Sequence, residues 1–376
     1  MKKLSICTLF VLISAHTFAQ KKLIERYLSN KTDSSRRPSF MPVPIFRYSQ
    51  EIGVEFGAGL LYSTYLDRQD LSNRSSNFSG VVSASTKGQY NVTLKSDIWT
   101  KKNTHHYISE VRFKRMPFNF YGIGNETDAA NEDRLVQGFV KVVLEAEKKF
   151  WPAMYTGFSV GFENYHFTDK ETGGIFSTDP SIIHKVGGSV VYAGISQSYD
   201  TRNSNNYTTK GMMAKVSFQY APDFWGKENF TGSLIKANVR SFWPLSPKFV
   251  IGLNGLFHSI QGKNVPFYLL PQMGNDEMMR GYYTGRYRDR NLLAAQAELR
   301  YRYNNRFGAV IFGGGGQVFE NGGLEVKNFK PSYGAGGRYF FDPEKGLSVR
   351  VDYGIGEKRA NEKRQTGFYI SLAEAF

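Results

Sequence analysis

Of the six histidines, five lie beyond residue 19: His105, His106, His166, His184 and His258. None stands in an H-E-x-x-H pattern or at another spacing that would set two ring nitrogens on one metal ion. His105 and His106 are adjacent, and adjacent side chains on a strand point to opposite faces. No G-x-S-x-G turn presents a nucleophilic serine. The run Gly313-Gly314-Gly315-Gly316 is rich in glycine, but no Lys-Ser/Thr follows it, so it is not a phosphate loop. Asp67, Asp70, Asp128, Glu132 and Asp133 read as solvated loop acids. With no catalytic set, no metal ligands and no cofactor motif, neither an enzyme nor a cofactor is expected.

The only cysteine is Cys7, inside an N-terminal apolar run, which leaves the rest of the chain without disulfide or thiolate chemistry. Formal charge is +15. Nucleic-acid binders share that balance, but here the basic residues are scattered rather than gathered on one segment, and nucleic acid is not expected as a partner.

Lys2 and Lys3, the apolar stretch Leu4 to Ser14 and the small-residue site ending at Ala19 form the pattern of a cleaved secretory signal. Its apolar stretch is too short for a spanning helix, which needs roughly 20 residues. Three segments are therefore expected: a signal peptide at 1–19, a polar and flexible periplasmic lead at 20–39, and one outer-membrane domain at 40–376.

Composition says how that domain crosses. The chain is rich in Phe (30), Tyr (23) and Gly (38), yet no stretch after the N-terminal run is apolar enough for a membrane helix. Strands with one lipid face and one watery face fit both facts. In 347–356, Leu347, Val349, Val351, Tyr353 and Ile355 alternate with Ser348, Arg350, Asp352, Gly354 and Gly356. The same period of two recurs around Lys215, around Lys236 and Arg240, and through Glu298, Arg300 and Arg302. Strands are expected at 40–48, 52–65, 77–87, 89–100, 105–116, 134–150, 153–168, 184–199, 210–221, 229–243, 247–260, 290–303, 306–319, 330–341, 346–357 and 366–376. Several run roughly 11 to 16 residues, long enough for the roughly 9–11 that a tilted membrane strand needs. The expected fold is all-β, a 16-stranded antiparallel transmembrane β-barrel. Short periplasmic turns should alternate with longer surface loops, the longest at 261–289.

Several motifs resemble the barrel of the BamA/TamA assembly-factor superfamily. Met279-Arg280-Gly281-Tyr282, inside the longest loop, resembles the family's V-R-G-F/Y motif, and Glu298-Leu299-Arg300-Tyr301 resembles its E-L-R-Y-like strand. Asp200-Thr201-Arg202-Asn203 with Thr208-Thr209-Lys210-Gly211 is similar to its D-x-R-D…P-T-x-G turn. Phe120-Tyr121-Gly122-Ile123-Gly124-Asn125 looks like a segment common in Bacteroidetes members. The resemblance implies that this extracellular loop folds into the lumen and that Arg280 pairs there with Glu298. Gly314 stands where the family's second acidic partner, an Asp in F-x-D-x-G, is expected. The four glycines offer instead a wall that the loop can approach closely. Phe368, Ile370, Leu372 and Phe376 lie on one alternating face and resemble the C-terminal signal that barrels present to the assembly machinery.

The family's assembly factors carry POTRA domains before the barrel, and residues 20–39 are too short for one, so a stand-alone barrel is expected. The resemblance then implies an accessory role in outer-membrane protein or lipid assembly or translocation. Expected partners are outer-membrane lipid, lipopolysaccharide and the assembly machinery. The competing expectation is a porin-like channel, its lumen made selective for anions by Lys215, Lys236, Arg240, Arg300, Arg302 and Arg350.

Overall fold

The computed structural model describes residues 29–30, 34–49, 53–171, 173–224 and 229–376. The expected signal peptide and most of the expected lead lie outside the described residues. Sixteen strands form one sheet: β1 Ser39–Ser49, β2 Gly53–Thr64, β3 Ser76–Ser85, β4 Tyr90–Trp99, β5 His105–Phe120, β6 Asp133–Trp151, β7 Met154–Asp169, β8 Gly187–Asp200, β9 Gly211–Ala221, β10 Thr231–Pro244, β11 Phe249–Lys263, β12 Asn291–Arg302, β13 Phe307–Phe319, β14 Lys330–Asp342, β15 Leu347–Ile355 and β16 Thr366–Leu372. Each is antiparallel to its neighbour in the chain, in the order β1 to β16. An even strand number returns the chain to its starting end, called here the turn end; the opposite end is the loop end.

Alternation decides which side chains face out. On β15, Val351 and Tyr353 are exposed on the outer surface, while Ser348, Arg350 and Asp352 are buried inside. Their partners Ile370 and Phe368 on β16 extend the same outer apolar face. A sheet curled this way puts apolar surface toward lipid and leaves its interior to polar groups.

The interior is nevertheless packed. Residues 264–290 fold back from the loop end, and Met273, Met278, Met279, Tyr282 and Tyr287 form a buried cluster with Leu292, Ala294 and Val318 of the wall. A second cluster sets Phe267 and Tyr268 of this loop against Phe120, Leu135, Phe167, Phe176 and Ile182. Phe176 comes from a one-turn helix, Ile175–Thr178, in the connection between β7 and β8.

The turn end departs from expectation. Connections 65–75 and 201–210 are not short, because they fold toward each other across the mouth. Asn206 donates to Ser75 Oγ (2.9 Å) and to the Lys345 carbonyl (3.0 Å), and accepts from Asn77 (2.8 Å). Arg74 holds Asp200 (2.5 Å), which also takes Arg202 (2.7 Å). One asparagine thus ties the β8–β9 turn to turns on two distant parts of the sheet. Described pieces of the lead join this floor. Arg36 donates to the carbonyls of Asp70 and Asn73, and Arg306 to that of Ser29.

Strand boundaries agree with the sequence pattern to within a few residues, with two larger differences. β5 runs on to Phe120 because Pro117 sits within an unbroken register opposite Val136. β16 stops at Leu372 because Ala373 takes a left-handed φ of 68°. That turn sends Glu374 and Phe376 into the interior. Phe376 packs on Phe242 and Val250, and so does not share the outer face of Phe368, Ile370 and Leu372. Glu374 is likewise inside, paired with Arg338 at 2.8 Å.

Asn206→Ala removes three buried hydrogen bonds from the floor. Loss of a buried polar group that leaves partners unsatisfied costs about 1–3 kcal/mol. The urea midpoint of the detergent-folded barrel, read from its heat-modifiable gel mobility, should fall accordingly. An unchanged midpoint would mean that the two turns are energetically independent.

Candidate functional site

A barrel wall supplies inward positions at every second residue, so charges on adjacent strands come within reach of one another. On β12 these are Gln296, Glu298 and Arg300; on β14, Ser332 and Arg338; on β15, Arg350 and Asp352, all buried. Arg280 descends into this patch from the loop and is 0% exposed. Its Nη2 meets Glu298 at 2.5 Å and its Nη1 meets Asp352 at 2.7 Å. The guanidinium carbon stands 3.5 Å from the centre of the Phe312 ring. One planar cation is thus held by two carboxylates and a ring face, an arrangement that only the fork of arginine fits.

The backbone of the loop is held as firmly. Ser332 Oγ donates to the Arg280 carbonyl (2.7 Å), and the Gly281 amide donates to the Tyr369 hydroxyl (2.9 Å). Tyr282 donates to the Pro331 carbonyl (2.6 Å) and accepts from the Glu357 amide (2.9 Å). Burial pushes the hydroxyls of Tyr282 and Tyr287 above their ordinary range, so both stay protonated donors. Close approach needs bare wall: a Cβ on Gly354 would lie 2.6 Å from the Arg280 carbonyl carbon. Gly281 itself has φ +105°, a conformation that excludes most side chains.

A second shell of charge surrounds the latch. Glu298 also takes Arg300 (2.9 Å), and Asp352 takes Arg338 (2.6 Å) and Arg350 (2.8 Å). Arg350 reaches Asp276 of the loop at 2.6 Å. Buried guanidiniums are tolerated only when paired in this way.

The Arg280–Glu298 pair expected from the sequence is therefore present. The missing acid at Gly314 is replaced by Asp352, two strands further along the wall. Asp352 could be placed facing inward from its alternation, but nothing local linked it to residue 280. Of the four consecutive glycines, Gly316 meets the loop, where its Cβ would lie 3.0 Å from Met279 Sδ, whereas Gly314 faces the Ala295 and Gln296 backbone. The basic lumen is largely neutralised. Lys215 pairs with Glu145 and Glu147, Arg300 with Glu298, and Arg350 with Asp276 and Asp352. Arg302 donates to the carbonyls of Asn304 and Asn305 near the turn end. Arg240 donates to Asn238. Among the described residues Lys236 has no carboxylate partner.

The other functional geometry is the seam. Among the described residues β1 pairs with β2 and β16 pairs with β15, with no backbone ladder between β1 and β16. Side chains meet there instead. Met41 and Leu372 pack on one cluster of Leu61, Phe341 and Leu347. A cavity of about 780 Å³ is lined by inward residues Val43, Lys95 and Glu110 and also by Val349, Ile370 and Leu372 of the outer face of β15–β16. The interior thus communicates with the outer apolar face at this edge. Pro42 and Pro44 fit the arrangement. They lack N–H groups at positions two apart, which address the same side of the strand, while register with β2 is unbroken from Ser39 to Ser49. The turn end of the seam is pinned by Lys345, whose Nζ donates to the Arg37 carbonyl (2.6 Å) and Ser39 Oγ (3.1 Å).

Arg280→Ala would take one charged hydrogen bond from each of Glu298 and Asp352, which keep their other guanidinium partners; a hydrogen bond to a charged group is worth about 1.5–3 kcal/mol. Single-channel conductance in planar bilayers should rise as the loop leaves the wall. Arg280→Lys should behave much like the alanine variant, since an ammonium cannot span both carboxylates. Unaltered conductance and stability in both would show that the loop is held without this residue.

Residues 191–376 match the Omp85 superfamily domain. No curated protein matches the chain. Among solved structures it is similar to BamA from Haemophilus ducreyi lacking POTRA domains 1-3, at 14% identity and a TM-score of 0.54, covering 89% of this chain and 70% of that one. It is similar also to CdiB from Acinetobacter baumannii, at 10% identity and a TM-score of 0.55, covering 89% of this chain and 60% of that one. At such identities the structural likeness establishes the shared fold. The second half of the chain carries the Omp85 superfamily domain, and the whole described sheet shares the fold of these barrels.

Proposed function

We propose that this barrel is an accessory factor in the assembly or translocation of outer-membrane protein or lipid, acting through the seam between β1 and β16. The observation that carries this reading is the seam, which among the described residues is closed by side-chain packing rather than by a ladder. Parting two apolar edges breaks no continuous row of backbone hydrogen bonds, whereas opening the sheet anywhere else does. An unpaired strand edge is also a template on which another strand can add. In this reading the outer membrane is the setting, lipopolysaccharide and lipid surround the outer apolar face, and the assembly machinery is the partner. The latch keeps the lumen filled while the seam works.

The competing reading, a conduit for small anions, draws on Lys236, which faces the interior with no carboxylate partner among the described residues. It requires the loop to leave the lumen, and Arg280 with its two carboxylates opposes that.

Met41→Cys with Leu372→Cys, joined by a short thiol cross-linker, locks the seam. The proposal expects the unlinked double variant, reconstituted in liposomes, to speed insertion of an unfolded outer-membrane barrel protein. The linked form should not. Equal acceleration in both forms would exclude the seam as the working part. No acceleration in either, with steady ion conductance, would favour the conduit.

A further inference from the structure

Every other fully buried arginine of the loop wall has a carboxylate. Arg280, Arg300 and Arg350 each pair with at least one. Arg288 does not. It is 1% exposed, and among the described residues no carboxylate reaches it. Its Nε and Nη2 both donate to a single acceptor, the Gly285 carbonyl (3.0 and 2.7 Å), and Nη1 has no described partner. The rings of Phe118, Phe120 and Phe267 stand 5.0 to 5.9 Å from its guanidinium carbon. Ring faces offset part of the cost of burying a cation, but they do not cancel its charge. Burial pulls this guanidinium below its ordinary pKa, as expected for a cation without a counter-ion.

Arg288 lines a cavity of about 560 Å³ in the loop-end half of the interior, between the folded loop, β5–β7 and the start of β16. Lys114 and Arg112 also face it, though Arg112 is paired with Glu110. None of the lining residues is Asp or Glu. Rings of Phe139, Tyr165 and Tyr268 form part of the wall, and Gln137, Gln272 and Thr284 add amides and a hydroxyl. The Tyr268 hydroxyl bonds to no other described residue. Mostly aromatic walls with a few convergent polar groups are the usual make-up of a small-molecule site. A buried guanidinium with an idle N–H adds the preference for phosphate or carboxylate oxygens.

We infer that this cavity binds an anionic saccharide, a phosphorylated sugar whose phosphate meets Arg288 and whose ring lies against the aromatic wall. Hydroxyls of the sugar suit the amides and the tyrosine, and the ring's C–H face suits the aromatic faces. Such a group can arrive as a free sugar phosphate or as the phosphorylated sugar head of a lipid.

The test uses the full barrel in detergent and titration calorimetry with glucose 1-phosphate, with lipid A micelles and with glucose as the neutral control. Two variants accompany the wild type. Arg288→Gln removes the charge. Gln272→Glu supplies an internal counter-ion at nearly constant size, since the Gln272 amide oxygen and Arg288 Nη2 flank the same Gly285. Heat-modifiable gel mobility reports folding, and if Arg288→Gln fails to fold, Gln272→Glu decides alone. The expected result is binding of a phosphorylated probe, none of glucose, and affinity about tenfold weaker or worse in the variants, the effect of losing a charged hydrogen bond. Binding of glucose 1-phosphate identifies a free sugar phosphate as sufficient; binding of lipid A alone identifies a lipid head. No binding of either phosphorylated probe, or equal binding in Gln272→Glu, overturns the assignment.

Discussion

A guanidinium buried inside a barrel has to be paired, and the pairing of Arg280 with Glu298 and Asp352 organises much of what surrounds it. The loop must reach the wall at one depth, because both carboxylates are fixed by the sheet. Gly354 and Gly281 are bare where the two backbones pass. Arg300, Arg338 and Arg350 neutralise the remaining carboxylate oxygens and carry the network on to Asp276 and Glu374. Without the central cation, Glu298 and Asp352 would each lose the guanidinium that joins them and the loop to one point of the wall.

Packing and charge divide the interior between them. Near the loop end, aromatic and methionine side chains of residues 264–290 fill the space with an apolar core, as in a soluble protein. Near the turn end, asparagines and arginines of the β2–β3 and β8–β9 connections close the mouth with hydrogen bonds. Short-range polar contacts suit a floor in contact with water, where a large apolar surface would be exposed on any opening. The seam runs beside both layers and belongs to neither. Met41 and Leu372 pack there on Leu61, Phe341 and Leu347, and the loop is tied to β16 through Gly281 and Tyr369, so β1 can part from β16 while the loop stays with β16.

Arg288 and Arg280 lie eight residues apart in one loop and solve the same problem differently. Arg280 is satisfied by the protein. Among the described residues Arg288 is left with one carbonyl and three ring faces, beside a cavity whose lining has no acids. A charge kept in such a place is costly to folding, and that cost is the physical reason for reading the cavity as a site for an anion.

The sixteen strands were legible because alternation with a period of two is a local property, readable in segments such as 347–356 without knowledge of their neighbours. The same alternation told that Glu298 and Asp352 face inward. Motif resemblance joined Arg280 to Glu298, since both positions carry recognisable neighbours. What remained hidden was non-local. Asp352 serves the latch only because the sheet curls until β15 stands near β12. Phe376 leaves the outer face because one residue, Ala373, turns left-handed, and period-two reasoning has no means to register a turn. The span of Asn206 across the mouth, the overlap at the seam and the missing counter-ion of Arg288 depend on distances between segments far apart in the chain. Local alternation tells which way each side chain faces; only the curl of the sheet decided what it meets.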